Sequence, residues 1–120
     1  MEDALPSTQL AQRLAAFRLR DVPREVVAQA KLMLLDTLGA MLAASSPKYS
    51  ATRILVDFAA RLGGRPESSL VGQGVKTSCV NAALVNGTLG YYCDIEPHHV
   101  GGILHAPAVM VPTSLAVAEK

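Results

Sequence analysis

Apolar residues recur three and four positions apart along most of this chain, and that spacing predicts helices. Leu10, Leu14 and Phe17 form the stripe of a first helix, which Ser7 or Thr8 can cap and which runs to about Arg20. Asp21 followed by Pro23 is a second start signal, because proline in the first helical turn has no N–H to leave unpaired. The helix from about Pro23 to Ala44 is amphipathic at first. From Leu32 onward, through LMLLDTLGAMLAA, it is apolar on nearly every side, the pattern of a central helix packed all round. Ser50 opens a third helix with Ile54, Leu55, Phe58 and Leu62 predicted inward, and with Arg53, Asp57 and Arg61 on the outer face. Gly63-Gly64 ends it, glycine taking a left-handed cap without steric cost.

SSLVGQGVKTS carries too much Gly and Ser for a helix and predicts a short extended excursion or hairpin near residues 68–76. From about Ser78 the spacing is helical again, through CVNAALVNGTLGYYCDIE. Between strands Asn86-Gly87 would signal a hairpin turn. The Ala- and Leu-rich flanks alternate poorly, which favours a helix tolerating one glycine at roughly 1 kcal/mol. Pro97 is the expected stop, Gly101-Gly102 make the next loop pliable, and Pro107 starts the last helix. No internal repeat is present. The fold class is all-α, about five helices with one small extended insert.

A chain of 120 residues fits one domain or a piece of a larger one, and its 50% hydrophobic content suffices for a core. Only 4% is aromatic and there is no Trp, so Leu, Val, Ala and Met supply that core. A formal net charge of +1 argues against nucleic-acid and anionic-membrane partners. Cys79 and Cys93 are too few for a disulfide framework and read as reduced thiols. MEDALPSTQ is acidic and polar where a secretory signal is basic and then apolar. The apolar run from Leu32 to Ala44 is too short to span a bilayer and carries Asp36 inside it. The expectation is a soluble, cytoplasmic protein. The final SLAVAEK reads as a helix with no stop signal, which suggests a truncated chain.

All three histidines lie in YYCDIEPHHVGGILHAP, from Tyr91 to Pro107, beside Cys93, Asp94 and Glu96. Structural zinc shows paired cysteines and a helical zinc site shows two histidines four apart, and neither pattern occurs here. Adjacent His98 and His99 on extended backbone would point in different directions. The GQG and VGG runs are too short for a phosphate loop and lack a following Gly-Lys-Ser/Thr. Acid/base chemistry fits better, since an unperturbed histidine titrates near pH 6.5 and carboxylates can orient it. Chemistry alone leaves open both an acid/base site and a solvated, His-rich loop between helices.

The run AALVNGTLGYYCDIEPHHVGGILHAPAVMVPTSLAVAE resembles the signature region of the MmgE/PrpD family, which includes 2-methylcitrate dehydratase, cis-aconitate decarboxylase and iminodisuccinate epimerase. VPREVVAQAKLMLLDTLGAMLAA is similar to the family's Ala-Lys then Leu-Leu-Asp-x-Leu-Gly helix, and LGGRPESSLVGQG to its Gly-Gly-x-Pro-Glu linker. Asn86-Gly87 match the signature, Asp94 matches its first acid, Glu96 replaces the second, and His105 falls at the His of His-Pro-Ser. Tyr91 stands where many members have His, Pro97 where a third acid would be, His98 where a Thr would be, and Ala106 breaks the His-Pro pair. The resemblance implies the amino-terminal part of a helical domain, residues 1–120, without the family's lid domain and inactive by itself. It also implies a full-length homodimeric lyase of the 2-methylcitrate dehydratase type, with decarboxylase or epimerase as alternatives. The substrate implied is a small di- or tricarboxylic acid, handled without metal or organic cofactor. His105 and Asp94 would be catalytic, and His98, His99, Glu96 and Asn86 would bind substrate.

Overall fold

The structure, a computed structural model, describes residues 5–120; residues 1–4, the start of the acidic amino terminus, lie outside it. The chain divides into two compact units, one ending at Ala30 and the other running Lys31–Lys120.

In the first unit, α1 (Pro6–Ala16) starts at a proline, and the Leu5 carbonyl accepts the Thr8 and Gln9 N–H groups at 2.9 and 3.0 Å. Neither Ser7 nor Thr8 therefore caps it. The helix also stops short of Arg20: Phe17 is extended, and Leu19–Asp21 forms a separate 3-10 turn. Leu10, Leu14 and Phe17 remain more than half exposed. The Asp21–Pro23 signal is followed by α2 (Arg24–Ala44), whose first N–H groups at Val26 and Val27 donate to the Pro23 carbonyl.

In the second unit, the latter part of α2 contributes Thr37, Ala40, Met41 and Ala44 to the interior. Their three- and four-residue spacing marks one packed face. Leu32, Leu35 and Leu42 stay exposed, so the expectation of packing all round is corrected. At 21 residues α2 is long and apolar enough to cross a membrane by length and composition alone, a property that core helices share. Thr37 is buried without penalty because its hydroxyl donates to the Met33 carbonyl at 2.8 Å.

α3 (Ser50–Leu62) ends at Gly63, φ 67°, where the sequence predicts its stop. Its packed face is Thr52, Leu55, Val56 and Ala59, whereas Ile54, Phe58 and Leu62 are exposed. The apolar arc is wider than its neighbours cover, and the predicted inward set straddles the edge. β1 (Ser68–Leu70) and β2 (Val75–Thr77) make an antiparallel hairpin with Ser68 opposite Thr77 and Leu70 opposite Val75. Gly72 and Gly74 supply the positive φ of its turn.

α4 (Cys79–Tyr92) is the central element, packing on α3, α5 and both strands and placing Ala82, Val85 and Leu89 in the core beside Met41, Ala59 and Leu70. Ser78 caps it, and Asn86-Gly87 sit within it as the Ala- and Leu-rich flanks predict. Gly87 is where α5 (Ala106–Glu119) comes close: a Cβ there would lie 3.4 Å from the Ala108 carbonyl. Pro112, inside α5, cannot donate to that carbonyl. α4 ends before Pro97, because Asp94 turns the backbone left-handed at φ 52°. Among the described residues the fold is five α-helices and one two-stranded hairpin, the class the sequence predicts.

Candidate acid/base site

Asp94 and Ile103, φ 52° and 47°, are the non-glycine residues with positive φ among those described. For a β-branched residue such as Ile103 this is a strained conformation, of order 1–3 kcal/mol. Between them His99 and Leu104 bridge, the His99 N–H donating to the Leu104 carbonyl at 2.9 Å, around a 3-10 turn at Val100–Gly102. His99 Nδ1 accepts the Gly102 N–H at 2.8 Å. A Cβ on Gly102 would lie 2.9 Å from that nitrogen, so a larger residue there would have to displace the His99 ring. This fold-back delivers His105 to the start of α5, beside Glu96.

His105 Nδ1 lies 2.7 Å from Glu96 Oε1. The Glu96 side chain is wholly buried, and its Oε2 has no hydrogen-bond partner, whereas the His105 side chain is 31% exposed. His105 Nε2 is 4.0 Å from Oδ1 of the exposed Asp94. The His98 ring stacks on His105 at 5.5 Å, and the Tyr91 ring meets it edge-on at 5.0 Å. His105 and Tyr91 stand at a cleft of about 510 Å3 between α4 and α5, floored by Ala83, Leu84, Gly87, Thr88, Ala108 and Val109. No Lys or Arg lines it among the described residues. A buried carboxylate is tolerated only with a good partner, and here that partner is the imidazole.

The arrangement can hold a titratable ring in one orientation at the edge of an apolar cleft, which suits proton transfer. Asp94, Glu96 and His105 also offer ligand atoms within 4.8 Å of one another, the donor set of a divalent-cation site. A cation at Nδ1 would have to displace the proton shared with Glu96.

The structure thus gathers His105, Asp94, Glu96 and His98, and separates two other candidates from them. Asn86, expected to bind substrate, is buried in α4, where its Oδ1 accepts the Val71 N–H and its Nδ2 donates to the Ser69 carbonyl, both at 2.9 Å. Asn86 fastens the hairpin to α4. The His99 ring is tied to Gly102 and does not line the cleft, and Glu96 has no exposed side-chain atom to offer a substrate. Thr88 and Tyr91, not among the expected site residues, also line the cleft. With Leu84 and Gly87 they follow the 0, 3, 4, 7 spacing of one helical face, a signal the sequence contains.

The profile of the MmgE/PrpD N-terminal domain matches residues 8–120. The cis-aconitate decarboxylase-like protein oryM of Aspergillus oryzae is 26% identical over 117 residues, covering 94% of this chain and 23% of the relative. The chain spans about a quarter of the length of the curated relative it matches.

Proposed function

The chain belongs to the MmgE/PrpD family, and on that premise we propose that it forms one wall of the acid/base site of a lyase acting on a small di- or tricarboxylic acid. The observation carrying this reading is His105, a partly exposed imidazole at the rim of the α4–α5 cleft, with His98 and Tyr91 against its ring and Asp94 near Nε2. In a dehydration of the 2-methylcitrate type, His105 takes a proton from the carbon next to a carboxylate. The electron pair forms the alkene and hydroxide leaves the neighbouring carbon, protonated to water. General acid/base catalysis by one positioned side chain contributes about 10²–10⁴-fold. Asp94 assists at Nε2 and His98 lines the approach. No cation for the substrate carboxylates lines this cleft among the described residues.

A second reading is decarboxylation of a cis-aconitate type acid, favoured by the name of the A. oryzae relative. There the carbon that loses carbon dioxide takes up a proton, and the same imidazole delivers it. Full-length protein carrying His105→Gln, assayed with 2-methylcitrate and with cis-aconitate, tests both readings. Turnover at least about 100-fold below wild type with retained fold is expected. Unchanged turnover removes His105 from the chemistry.

A further inference from the structure

Glu96 is the one carboxylate of the site that a substrate cannot reach, and the reaction needs a reason for it. We infer that Glu96 is a positioning residue: its buried carboxylate accepts the Nδ1–H of His105 and leaves Nε2 as the atom that exchanges protons with substrate. This rests on the reading of His105 as the proton-transfer group.

Three observations carry it. The 2.7 Å Nδ1···Oε1 distance is short, as in hydrogen bonds to charged acceptors. Glu96 has no exposed side-chain surface and Oε2 has no partner, so among the described residues the imidazole is its side chain's sole partner. A carboxylate only accepts, and a neutral imidazole carries one N–H, so Nδ1 holds the hydrogen and Nε2 the lone pair. The ring is confined further by stacked His98 and edge-on Tyr91.

The proton balance is closed. The Nε2 lone pair takes a proton from the substrate carbon, giving an imidazolium whose Nδ1–H remains on Glu96. The carboxylate stabilises that cation without receiving the proton. Nε2 then returns its proton to the departing hydroxide, and His105 is neutral again.

The test uses full-length protein with ¹⁵N-labelled histidine. With the ring neutral, wild type should show a protonated Nδ1 and an unprotonated Nε2. Glu96→Gln keeps the size and a hydrogen-bond acceptor but removes the charge, so kcat should fall roughly 10- to 100-fold with KM within about threefold of wild type. Glu96→Leu should fall further and lose the Nδ1–H signature. If Glu96→Leu does not fold, the Gln variant and the wild-type spectrum still decide. An Nε2–H tautomer in wild type would place the proton on Glu96 and overturn the inference. So would a Glu96→Gln enzyme with unchanged kcat while His105→Gln is inactive. Full activity in His105→Gln would instead remove the proton-transfer reading itself, and the role of Glu96 with it.

Discussion

Glu96 and His105 are nine residues apart in sequence, yet their side chains meet at 2.7 Å because the loop between them turns back through a left-handed Ile103. The site is therefore assembled by a backbone conformation that isoleucine disfavours. Strain of this kind is found where a loop is held for function.

Replacing Ile103 should show that strain directly. The residue is 91% exposed, so Ile103→Asn removes almost no burial and substitutes a residue that tolerates the left-handed region. Urea unfolding should show a gain of roughly 1 kcal/mol. A loss of stability would mean that Ile103 is not strained where it stands.

Asn86 should behave as scaffold. Asn86→Ala leaves the Val71 N–H and the Ser69 carbonyl without their partner inside the fold. A cost of about 2–3 kcal/mol is expected, with the KM of the remaining folded enzyme unchanged. A raised KM at full stability would return Asn86 to the substrate site.

Glu119 ties the end of α5 to the hairpin, accepting from the Ser69 hydroxyl at 2.7 Å and the Ser69 N–H at 3.0 Å, with Lys76 Nζ 3.2 Å away. The Ser69 hydroxyl is the largest influence holding its carboxyl below the ordinary 4.5; burial, next in size, pushes upward, and Lys76 and the Ser69 N–H add to the lowering. A carboxylate depressed in the folded state stabilises above its unfolded value, and that contribution is lost as pH falls through the folded value. Glu119→Gln should therefore be less stable than wild type at neutral pH, and the gap should close on acidification through the carboxylate range. A gap that stays constant with pH would assign the loss to packing instead of charge.

Most elements were legible in the sequence because their signals are local. The Pro23 start, the Gly63 cap and the glycine-rich turn each act over a few residues. Faces were harder to read. α2 and α3 are apolar over wide arcs, and periodicity does not say which part of a wide arc meets a neighbour. The loop was legible as a cluster of chemistry but not as geometry. Nothing in PHHVGGILHAP marks Ile103 as left-handed, and without that turn the Glu96–His105 pair cannot be foreseen. Asn86 looked functional through its place in a motif, whereas its partners, Val71 and Ser69, lie about 15 residues back across the hairpin.

The central claim is that His105 moves a proton to or from a substrate carbon. Solvent deuterium incorporation measures this most directly: full-length protein is incubated with 2-methylcitrate or cis-aconitate in D2O and the carbon-bound deuterium is read by mass spectrometry. Wild type should place solvent deuterium on the carbon that loses carbon dioxide, or on the deprotonated carbon of 2-methylcitrate re-formed by reversal of the dehydration, and folded His105→Gln should leave that carbon nearly unlabelled. Labelling by His105→Gln at the wild-type rate would contradict the account.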